Sequence, residues 1–402
     1  MKILIWNYNI PIKNSGGPSG YLYNIKQYID NEDPQYKQQI VFLSDLITFN
    51  PSKQSSSLFK KLYVYLTHDI QQIIKWYLPS QLDIQTNTID LNLFDIIHFH
   101  STQSLNEAYN LLKEKHFHGK IVLTSHSPQP ATEEMINGFS LLGRCLKKIY
   151  ISKLFKKEIT IWGKADYIMF PVKNALEPYT KYSIFYNFYS SFKEKFIYCP
   201  TGILNLNKNE KVDPNIIKEK IGIPKDSFLI SYIGRHNKIK GFDVLKDLGK
   251  QILIKDTQNK IFFAIGGQEY PIKRLNHPHW KELGWINYSN DLIAASDLFI
   301  LPNKETYFDL IALEVLRTGT PILMTETGGN KYFKSIIKSQ FKYGIFFFKP
   351  NITSIEEISS IIKDLQDPSF MMKCRYNNKM LFDTHFEMGK FMNRYTSLIN
   401  TL

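Results

Sequence analysis

Residues 302–330 (PNKETYFDLIALEVLRTGTPILMTETGGN) constrain the fold more than any other stretch of this 402-residue chain. The apolar run at 296–302, which ends in proline, predicts a buried strand just before them. Leucines at helical spacing follow, and Gly319 and Pro321 end the predicted helix. A second apolar strand and a Gly-Gly turn complete the stretch. This order of elements predicts part of a parallel sheet.

The start of that helix is the predicted ligand site. A helix N-terminus at the carboxyl edge of a parallel sheet favours phosphate, because its free N–H groups and its dipole attract anions. Two carboxylates, Glu305 and Glu314, lie nearby in the sequence. Carboxylates accept hydrogen bonds from sugar hydroxyls. The stretch therefore predicts a ligand that is part phosphate and part sugar.

The same stretch resembles the nucleotide-sugar binding segment of GT-B glycosyltransferases, specifically the large retaining group called family 4. Members of that group carry two glutamates separated by seven residues, then an apolar strand and a Gly-Gly-Asn-like turn. Here eight residues separate Glu305 from Glu314, and Thr-Tyr-Phe-Asp at 306–309 replaces the usual glycine-rich filling. This difference from the family spacing affects the assignment of Glu305 to the first glutamate of the motif more than the assignment of Glu314 to the second.

Length and composition indicate two ordinary domains with full cores, since 43% of the residues are hydrophobic and 14% are aromatic. No apolar run is long enough to predict a membrane-spanning helix, and the first six residues predict a buried strand rather than a signal peptide. Three scattered cysteines give neither a disulfide framework nor a zinc pattern. No Asp-x-Asp pair occurs. We therefore expect a cytoplasmic protein that needs no metal or other cofactor.

The net charge of +13 indicates either a basic, soluble surface or an anionic partner. No zinc-finger, homeodomain or RNA-recognition pattern occurs, so nucleic acid is not an expected partner. Residues 58–77 and, more strongly, 141–164 are both basic and apolar. In 141–164 the apolar residues recur at helical spacing between lysines, which predicts a helix that packs on the sheet or lies on anionic lipid. These residues are Leu142, Leu146, Ile149, Tyr150, Leu154 and Phe155.

Apolar runs alternate with mixed segments along both halves of the chain, which predicts an α/β fold of two doubly wound, Rossmann-like domains. The predicted strands cover 2–6, 39–43, 96–100, 121–124 and 167–170 in the first half, and 228–233 and 261–265 in the second. The segment 197–203 reads as the linker. The resemblance implies a deep interdomain cleft, an acceptor-binding domain (1–204), a nucleotide-sugar-binding domain (205–385) and a closing helix (386–402) that returns to the first domain.

Three features of the first half point to the site. A glycine-rich loop at 15–20 opens a predicted helix at 21–28; alone it is more often only a turn, but the resemblance implies that Gly16 and Gly17 lie near the donor phosphates. His100 and His126 follow neighbouring strands and should face the same sheet edge. A solitary histidine is usually structural, yet the resemblance places a histidine beside the transferred sugar and favours His126 as a catalytic residue.

In the second half, Arg235 and Lys240 lie at a strand tip and near a helix start. Two cations so placed suit a diphosphate, and the pair also resembles the family's diphosphate-binding motif. A carboxylate at Asp309 that capped the next helix would compete with the phosphate. The resemblance implies that Glu305 contacts the sugar as a catalytic residue and that the remaining donor-binding groups are Phe308, Asp309, Leu310 and Glu314, the first three through backbone N–H groups.

The leading hypothesis is a retaining glycosyltransferase that moves a hexose or N-acetylhexosamine from a nucleotide diphosphate sugar, UDP-linked, to a hydroxyl of a glycan, lipid-linked or protein acceptor. Three alternatives remain open. One is an epimerase or phosphorylase on the same architecture. Another is a glycosidase with Glu305 and Glu314 as acid and base, although that chemistry needs carboxylates facing each other across a bond. The third is a degenerate GT-B subunit that binds an acceptor or a partner.

Overall fold

The computed structural model describes residues 1–12, 17–47, 58–78, 88–206, 213–337, 341–350 and 352–402, with the side chains of 58–66 excepted. Its internal contacts divide the chain into two compact units. The first unit comprises Met1–Cys199 with Tyr395–Leu402, and the second comprises Pro200–Arg394. The contacts therefore assign residues 200–204 and 386–394, which the sequence placed in the first domain and the closing helix, to the second unit.

The first unit holds a six-stranded parallel sheet in the order β2-β1-β3-β4-β5-β6. Its strands are β1 (Ile3–Trp6), β2 (Ile40–Phe42), β3 (Ile96–Phe99), β4 (Lys120–Leu123), β5 (Tyr167–Phe170) and β6 (Phe196–Tyr198). Its helices are α1 (Gly17–Gln27), α2 (Leu43–Leu46), α3 (Leu58–Tyr77), α4 (Thr102–Glu114), α5 (Ala131–Asn137), α6 (Leu141–Cys145), α7 (Lys147–Gly163), α8 (Glu177–Thr180) and α9 (Ser183–Ser191). Short 3₁₀ or π turns cover Tyr28–Glu32, Pro34–Gln38, Leu91–Leu93, Lys173–Leu176 and Lys193–Lys195.

The second unit holds another six-stranded parallel sheet, in the order β12-β11-β10-β7-β8-β9. Its strands are β7 (Phe228–Ile233), β8 (Ile261–Gly266), β9 (Trp280–Gly284), β10 (Leu298–Leu301), β11 (Ile322–Thr325) and β12 (Ile345–Phe348). Its helices are α10 (Pro214–Lys220), α11 (Phe242–Lys255), α12 (Ser289–Ala295), α13 (Leu310–Thr318), α14 (Asn330–Ile336), α15 (Ile355–Leu365) and α16 (Pro368–His385). A last helix, α17 (Met388–Ile399), crosses the division between the units.

Helices cover both faces of the second sheet because its strands alternate their side chains between two apolar clusters. Phe228, Ile230 and Tyr232 of β7 point into a cluster with α11 and α15. Leu229 points into the opposite cluster with α10 and α12. A sheet buried on both faces leaves its edges and strand ends as the places for a site.

The strand order locates the crevice in each sheet where a ligand is expected. In the second sheet the chain runs from β7 outward to β9, then returns to β10 on the other side of β7. The connections from β7 and β10 therefore leave in opposite directions, which opens a topological switch point at their carboxyl ends. The first sheet has the same switch between β1 and β3.

The predicted α/β fold with two doubly wound sheets is confirmed, and the strands predicted along both halves are present. The sequence predicted no strand at β6, β9 or β12, and each of these is an edge strand of its sheet. Edge strands are covered on fewer sides, and all three contain half-buried positions. The sequence of β9 is mixed, and β6 overlaps the segment 197–203 that the sequence indicated as the linker. Among the described helices, none combines the length and hydropathy needed to cross a lipid bilayer.

The buried Asn378 of α16 supports a stability prediction. Its amide nitrogen donates to the carbonyl oxygens of Thr320 (2.8 Å) and Gly344 (3.0 Å), just before β11 and β12. We expect Asn378→Ala to lower the free energy of unfolding by about 1–3 kcal/mol, because it removes two buried hydrogen bonds. Asn377→Ala is the matched control, since within the described residues the Asn377 amide donates to the Lys373 carbonyl oxygen of its own helix alone. Equal urea midpoints for both variants would contradict the assigned role.

Candidate functional site

The loop after β7, residues 235–241, lies at the switch point of the second sheet and carries both predicted cations. Arg235 is exposed, and its carbonyl oxygen accepts a hydrogen bond from the Tyr232 hydroxyl at 2.9 Å. The adjacent His236 is buried and stacks flat on Phe242, with ring centroids 3.8 Å apart and planes 5° apart. The Tyr232 hydrogen bond and the His236–Phe242 stack therefore hold the loop in place, while the Arg235 side chain is exposed to solvent.

Lys240 is held against the segment that follows β10. Its backbone N–H donates to the Asn237 side-chain oxygen at 2.8 Å. The next residue, Gly241, has φ +64°, and a Cβ there would collide with the carbonyl oxygen of Pro302. Only glycine allows so close an approach of two backbones in the left-handed region. Gly241 thus lets the Lys240 loop pack directly against Pro302, at the start of the segment that connects β10 to α13.

The ammonium group of Lys240 forms an ion pair with Asp309, with Nζ 2.8 Å from Oδ1. The same carboxylate accepts hydrogen bonds from the Asn303 amide and, at 3.2 Å, from the Thr306 hydroxyl. It forms no side-chain cap on α13, although Asp309 stands at the N-cap position. The sequence-based concern that Asp309 caps the helix is therefore wrong. The carboxylate lies on Lys240 instead.

The N-terminus of α13 is open for hydrogen bonding. Within the described residues, the backbone N–H groups of Phe308, Asp309 and Leu310 donate none of the observed hydrogen bonds, as expected for the first turn of a helix. Phe308 is buried and stacks on Phe333 at 5.3 Å, which fixes this turn. Beneath it, Gly329 packs so closely that a Cβ would meet the carbonyl oxygen of Tyr307. The result is a rigid set of unpaired donors.

Glu314 lies one helical turn after Leu310, so both residues share one face of α13. The carboxyl group is half-buried, and burial raises its pKa, with Arg317 opposing that change. It makes no hydrogen bond or ion pair with any described residue. A half-buried acceptor close to unpaired N–H donors suits a ligand that carries hydroxyls next to a phosphate.

Glu305 is half-buried on the same segment, and its N–H lies 3.4 Å from the carbonyl oxygen of Ile239, next to Lys240. The residue separated from Glu314 by seven residues, however, is Thr306 rather than Glu305. Thr306 is fully buried, and its hydroxyl donates to Asp309. Thr306, Asn303 and His236 are the site-building residues that sequence reasoning missed. Thr306 could have been found from the sequence, because the family spacing counted back from Glu314 ends at this residue.

In the first unit, Gly17 is the exposed first residue of α1, whereas Gly16 lies outside the described residues. One turn later, the buried ring of Tyr21 lies 4.6 Å from the ring of His126 and 5.6 Å from that of His100. Residues four apart share a helix face, so the glycine-started helix lies against the histidines. The structure brings these predicted residues together at one edge of the first sheet.

His126 and His100 form a hydrogen-bonded pair, with His100 Nδ1 2.7 Å from His126 Nε2. The His100 Nε2 atom is buried and has no hydrogen-bond partner in the described structure. Because a buried unpaired N–H is rarer than a buried unpaired acceptor, we assign the His100 proton to Nδ1. His100 then donates to His126 Nε2, and the His126 proton is on Nδ1. The backbone of His126 is left-handed (φ +58°), a strain that a non-glycine residue keeps only where its surroundings impose it.

A third histidine, His98, extends this buried group. Its ring nitrogens lie 2.9 Å from the Tyr395 hydroxyl and 2.8 Å from the Thr124 hydroxyl. Burial lowers the pKa of His98 and of His126 to about 3, and it lowers the pKa of His100 as well. All three histidines are therefore neutral near pH 7.

The buried His98 predicts an acid-sensitive fold. Its pKa is about 3 when folded and about 6.5 when unfolded, so the unfolded chain binds a proton first as the pH falls below 6.5. Between pH 6.5 and 5 this costs about 2 kcal/mol of stability per such histidine. The wild type should lose free energy of unfolding between pH 6.5 and pH 5, and we expect this loss to be about 2 kcal/mol smaller in His98→Gln. Urea unfolding at both pH values measures the difference.

The exposed His118 supplies the control for that measurement, as His118→Gln should keep the wild-type acid dependence. An acid dependence in His98→Gln equal to that of the wild type would contradict the burial of a neutral His98.

Comparison with known proteins shows what this part of the chain is similar to. The family described as glycosyl transferases group 1 matches residues 213–380, which include every donor-binding residue predicted in the second unit. An uncharacterised 41.2 kDa protein in the cps region of Klebsiella pneumoniae is 22% identical over 299 residues, covering 68% of this chain and 71% of that protein. The Escherichia coli UDP-Gal:alpha-D-GlcNAc-diphosphoundecaprenol alpha-1,3-galactosyltransferase is 27% identical over 146 residues, covering 33% of this chain and 37% of that enzyme.

Among solved structures, Anabaena HepE in complex with UDP and glucose matches the whole fold, with a TM-score of 0.62, 13% identity and 100% coverage of both chains. At this identity the likeness shows the fold. Residues 213–380 therefore match the glycosyl transferases group 1 family, a family of transferase enzymes, and the chain has the GT-B fold.

Proposed function

We propose that this protein is a retaining glycosyltransferase that uses a nucleotide diphosphate sugar, UDP-linked, as its donor. The sugar is a hexose or N-acetylhexosamine, and the acceptor is a hydroxyl of a glycan, lipid-linked or protein substrate in cell-surface glycan or glycoprotein synthesis. One observation carries the proposal: two cations, an open helix N-terminus and a half-buried carboxyl group lie on segments around one switch point. The UDP and glucose bound by HepE and the UDP-Gal named for the E. coli relative support this donor.

Each part of the second unit has a role in holding this donor. Arg235 and Lys240 neutralise the diphosphate, and the free N–H groups at 308–310 donate to its terminal phosphate. Glu314 accepts hydrogen bonds from the ribose hydroxyls. Glu305 accepts hydrogen bonds from the hydroxyls of the transferred sugar.

The proposed reaction breaks the bond between the anomeric carbon and the diphosphate oxygen. The nucleoside diphosphate leaves with the bonding electrons, and its new negative charge is stabilised by the two cations and the α13 N-terminus. The acceptor hydroxyl attacks the same face of the sugar and passes its proton to the departing phosphate oxygen, which retains the anomeric configuration. We propose that no metal or other cofactor takes part.

In the first unit, His126 is our proposed catalytic residue. Its imidazole, held by the hydrogen bond from His100, is the group that we propose contacts a hydroxyl of the transferred sugar. Because this imidazole is neutral near pH 7, it supplies a hydrogen bond without a positive charge. The loop that carries Gly16 and Gly17 is our proposed neighbour of the donor phosphates.

The proposal includes a cytoplasmic location on the inner face of a membrane, with residues 141–164 in contact with anionic lipid. A lipid-linked acceptor would be reached there, and the diphosphoundecaprenol named for the E. coli relative is an acceptor of that kind.

A second candidate function is a degenerate GT-B subunit that binds an acceptor or a partner. Two observations favour it: the Lys240 charge is already paired with Asp309, and Thr306 stands where the family spacing places a glutamate. An epimerase on the same architecture would interconvert nucleotide sugars without any acceptor.

A hydrolysis screen over a panel of nucleotide sugars, with calorimetry of UDP and GDP binding, separates these candidates. We expect slow release of UDP from one UDP-sugar and measurable UDP binding. An isomerised nucleotide sugar without acceptor would establish the epimerase. Absence of binding by either nucleotide would contradict the transferase and favour the degenerate subunit.

Removing either cation should weaken UDP binding. We expect Lys240→Ala and Arg235→Ala each to weaken UDP binding by about 1–3 kcal/mol, because each change removes a charged hydrogen-bond partner. Lys255→Ala is the matched control: Lys255 ends α11, at the opposite end from Lys240, and forms an ion pair with Glu356. Unchanged calorimetric affinity in both site variants would refute the diphosphate site.

The Lys240–Asp309 ion pair makes an opposite prediction. Asp309→Asn keeps the side-chain shape but leaves the Lys240 charge free for the diphosphate, so UDP affinity should rise by up to about tenfold. Asp383→Asn, which breaks the exposed Lys379–Asp383 pair, should leave calorimetric affinity unchanged. Weaker binding by Asp309→Asn would show that the carboxylate positions Lys240 for its ligand.

A further inference from the structure

The amphipathic stretch at 141–164 does not form one continuous apolar stripe. It forms two helices, α6 and α7, and its apolar residues separate into two sets. Leu154 and Phe155 are buried in the first unit, whereas Leu142, Leu146 and Ile149 are exposed. The single helix that the sequence predicted over 141–164 is therefore two helices, and Leu154 and Phe155 belong to the part that packs in the first unit. The inner set holds α7 on the unit, and the outer set has no role in the core.

Helix α3 lies beside this outer set. The Asp69 carboxylate of α3 accepts hydrogen bonds from the backbone N–H of Ser140 (3.1 Å) and from its hydroxyl (2.6 Å). At the other end of the contact, the Lys157 ammonium lies 5.8 Å from the centre of the Tyr77 ring. Trp76 points inward and is buried. The described part of α3 is therefore fixed alongside α6 and α7.

Exposed apolar side chains of the two helical segments form what we call the lipid face. On α3 and just after it these side chains recur at helical spacing. On α6 and α7 they come directly after Ser140, the residue that donates hydrogen bonds to Asp69. Each is 43–73% exposed. They are Ile70, Ile74, Tyr77, Leu78, Leu141, Leu142, Leu146 and Ile149. Large apolar side chains gathered in this way mark an interaction surface rather than scattered surface residues.

Asp69 of α3, which accepts hydrogen bonds from Ser140, is a carboxylate beside the lipid face, whereas the exposed charges on the α6–α7 side of that face are positive. Residues 140–164 contain seven cations and a single carboxylate, Glu158, which is buried and accepts from the N–H groups of Ala131 and Thr132. Lys147 is paired with Glu133 at 2.5 Å. The exposed cations are Arg144, Lys148, Lys153 and Lys156. The exposed charge of this segment is therefore entirely cationic.

We propose that the lipid face docks onto an anionic bilayer, with aliphatic side chains from both α3 and the α6–α7 segment inserted among the headgroups. Aliphatic residues flanked by lysines match the interfacial layer of an anionic membrane in both polarity and charge. A second copy of this chain is a poorer occupant, because a symmetric interface would oppose the same cations. The inference rests on the proposed membrane location and adds α3 as half of the contact.

Co-sedimentation with phosphatidylcholine vesicles, with and without phosphatidylglycerol, tests this proposal. We expect the wild type to bind only the anionic vesicles. Ile74→Glu/Ile149→Glu, one change on each helical segment, should reduce binding at least about tenfold, because two carboxylates then oppose insertion and charge attraction. Lys148→Gln should reduce binding about fivefold, as each cation near an anionic surface contributes about that factor.

Ile216→Glu/Ile254→Glu is the matched control, since both side chains are exposed on helices of the second unit. It should bind vesicles as the wild type does. The proposal is overturned if the wild type does not bind anionic vesicles, or if the lipid-face variant binds them as well as the wild type does. A concentration-dependent dimer that the lipid-face variant abolishes would overturn it in favour of self-association. UDP calorimetry on the same variants distinguishes failure of the lipid face from failure of the donor site.

Discussion

The candidate site depends on the N–H groups at the start of α13, which donate no hydrogen bond within the part of the chain that the structure describes. A helix end that leaves its donors free needs an anionic or polar ligand, and Phe308 and Gly329 hold this end rigid. Gly241 then sets the Lys240 loop directly against the approach to the helix. Binding of a diphosphate would bring its negative charge to donors that are already in place, so little reorganisation is required.

The Asp309 carboxylate is the main departure from a simple phosphate site. It neutralises Lys240 and is itself held by Asn303 and Thr306. An anion that enters must compete with this carboxylate for the ammonium group, which lowers its affinity but keeps Lys240 oriented while the site is empty. In a site with this arrangement, the helix N–H groups and Arg235 supply more of the net attraction than the lysine does.

The sequence predicted most of the fold and only part of the site. Interior strands such as Phe228–Ile233, which is apolar except for Ser231, were found, whereas three edge strands, β6, β9 and β12, were missed. Residue types at strand ends placed Arg235 and Lys240 on the loop between β7 and α11, where the structure also has them. The pairing of Lys240 with Asp309 could not be predicted, because it depends on a side-chain direction that helix spacing does not determine. Likewise, helical spacing grouped Leu154 with Ile149, although only packing on the first unit decides which of them is buried.

We propose that the second unit binds the diphosphate of a nucleotide sugar at the switch point between β7 and β10. A crystal structure of the protein with UDP is the decisive experiment. We expect the terminal phosphate within hydrogen-bonding distance of the N–H groups at 308–310, with Lys240 turned from Asp309 toward the diphosphate and Glu314 on the ribose. A nucleotide bound elsewhere, with the Lys240–Asp309 ion pair intact, would refute this diphosphate site.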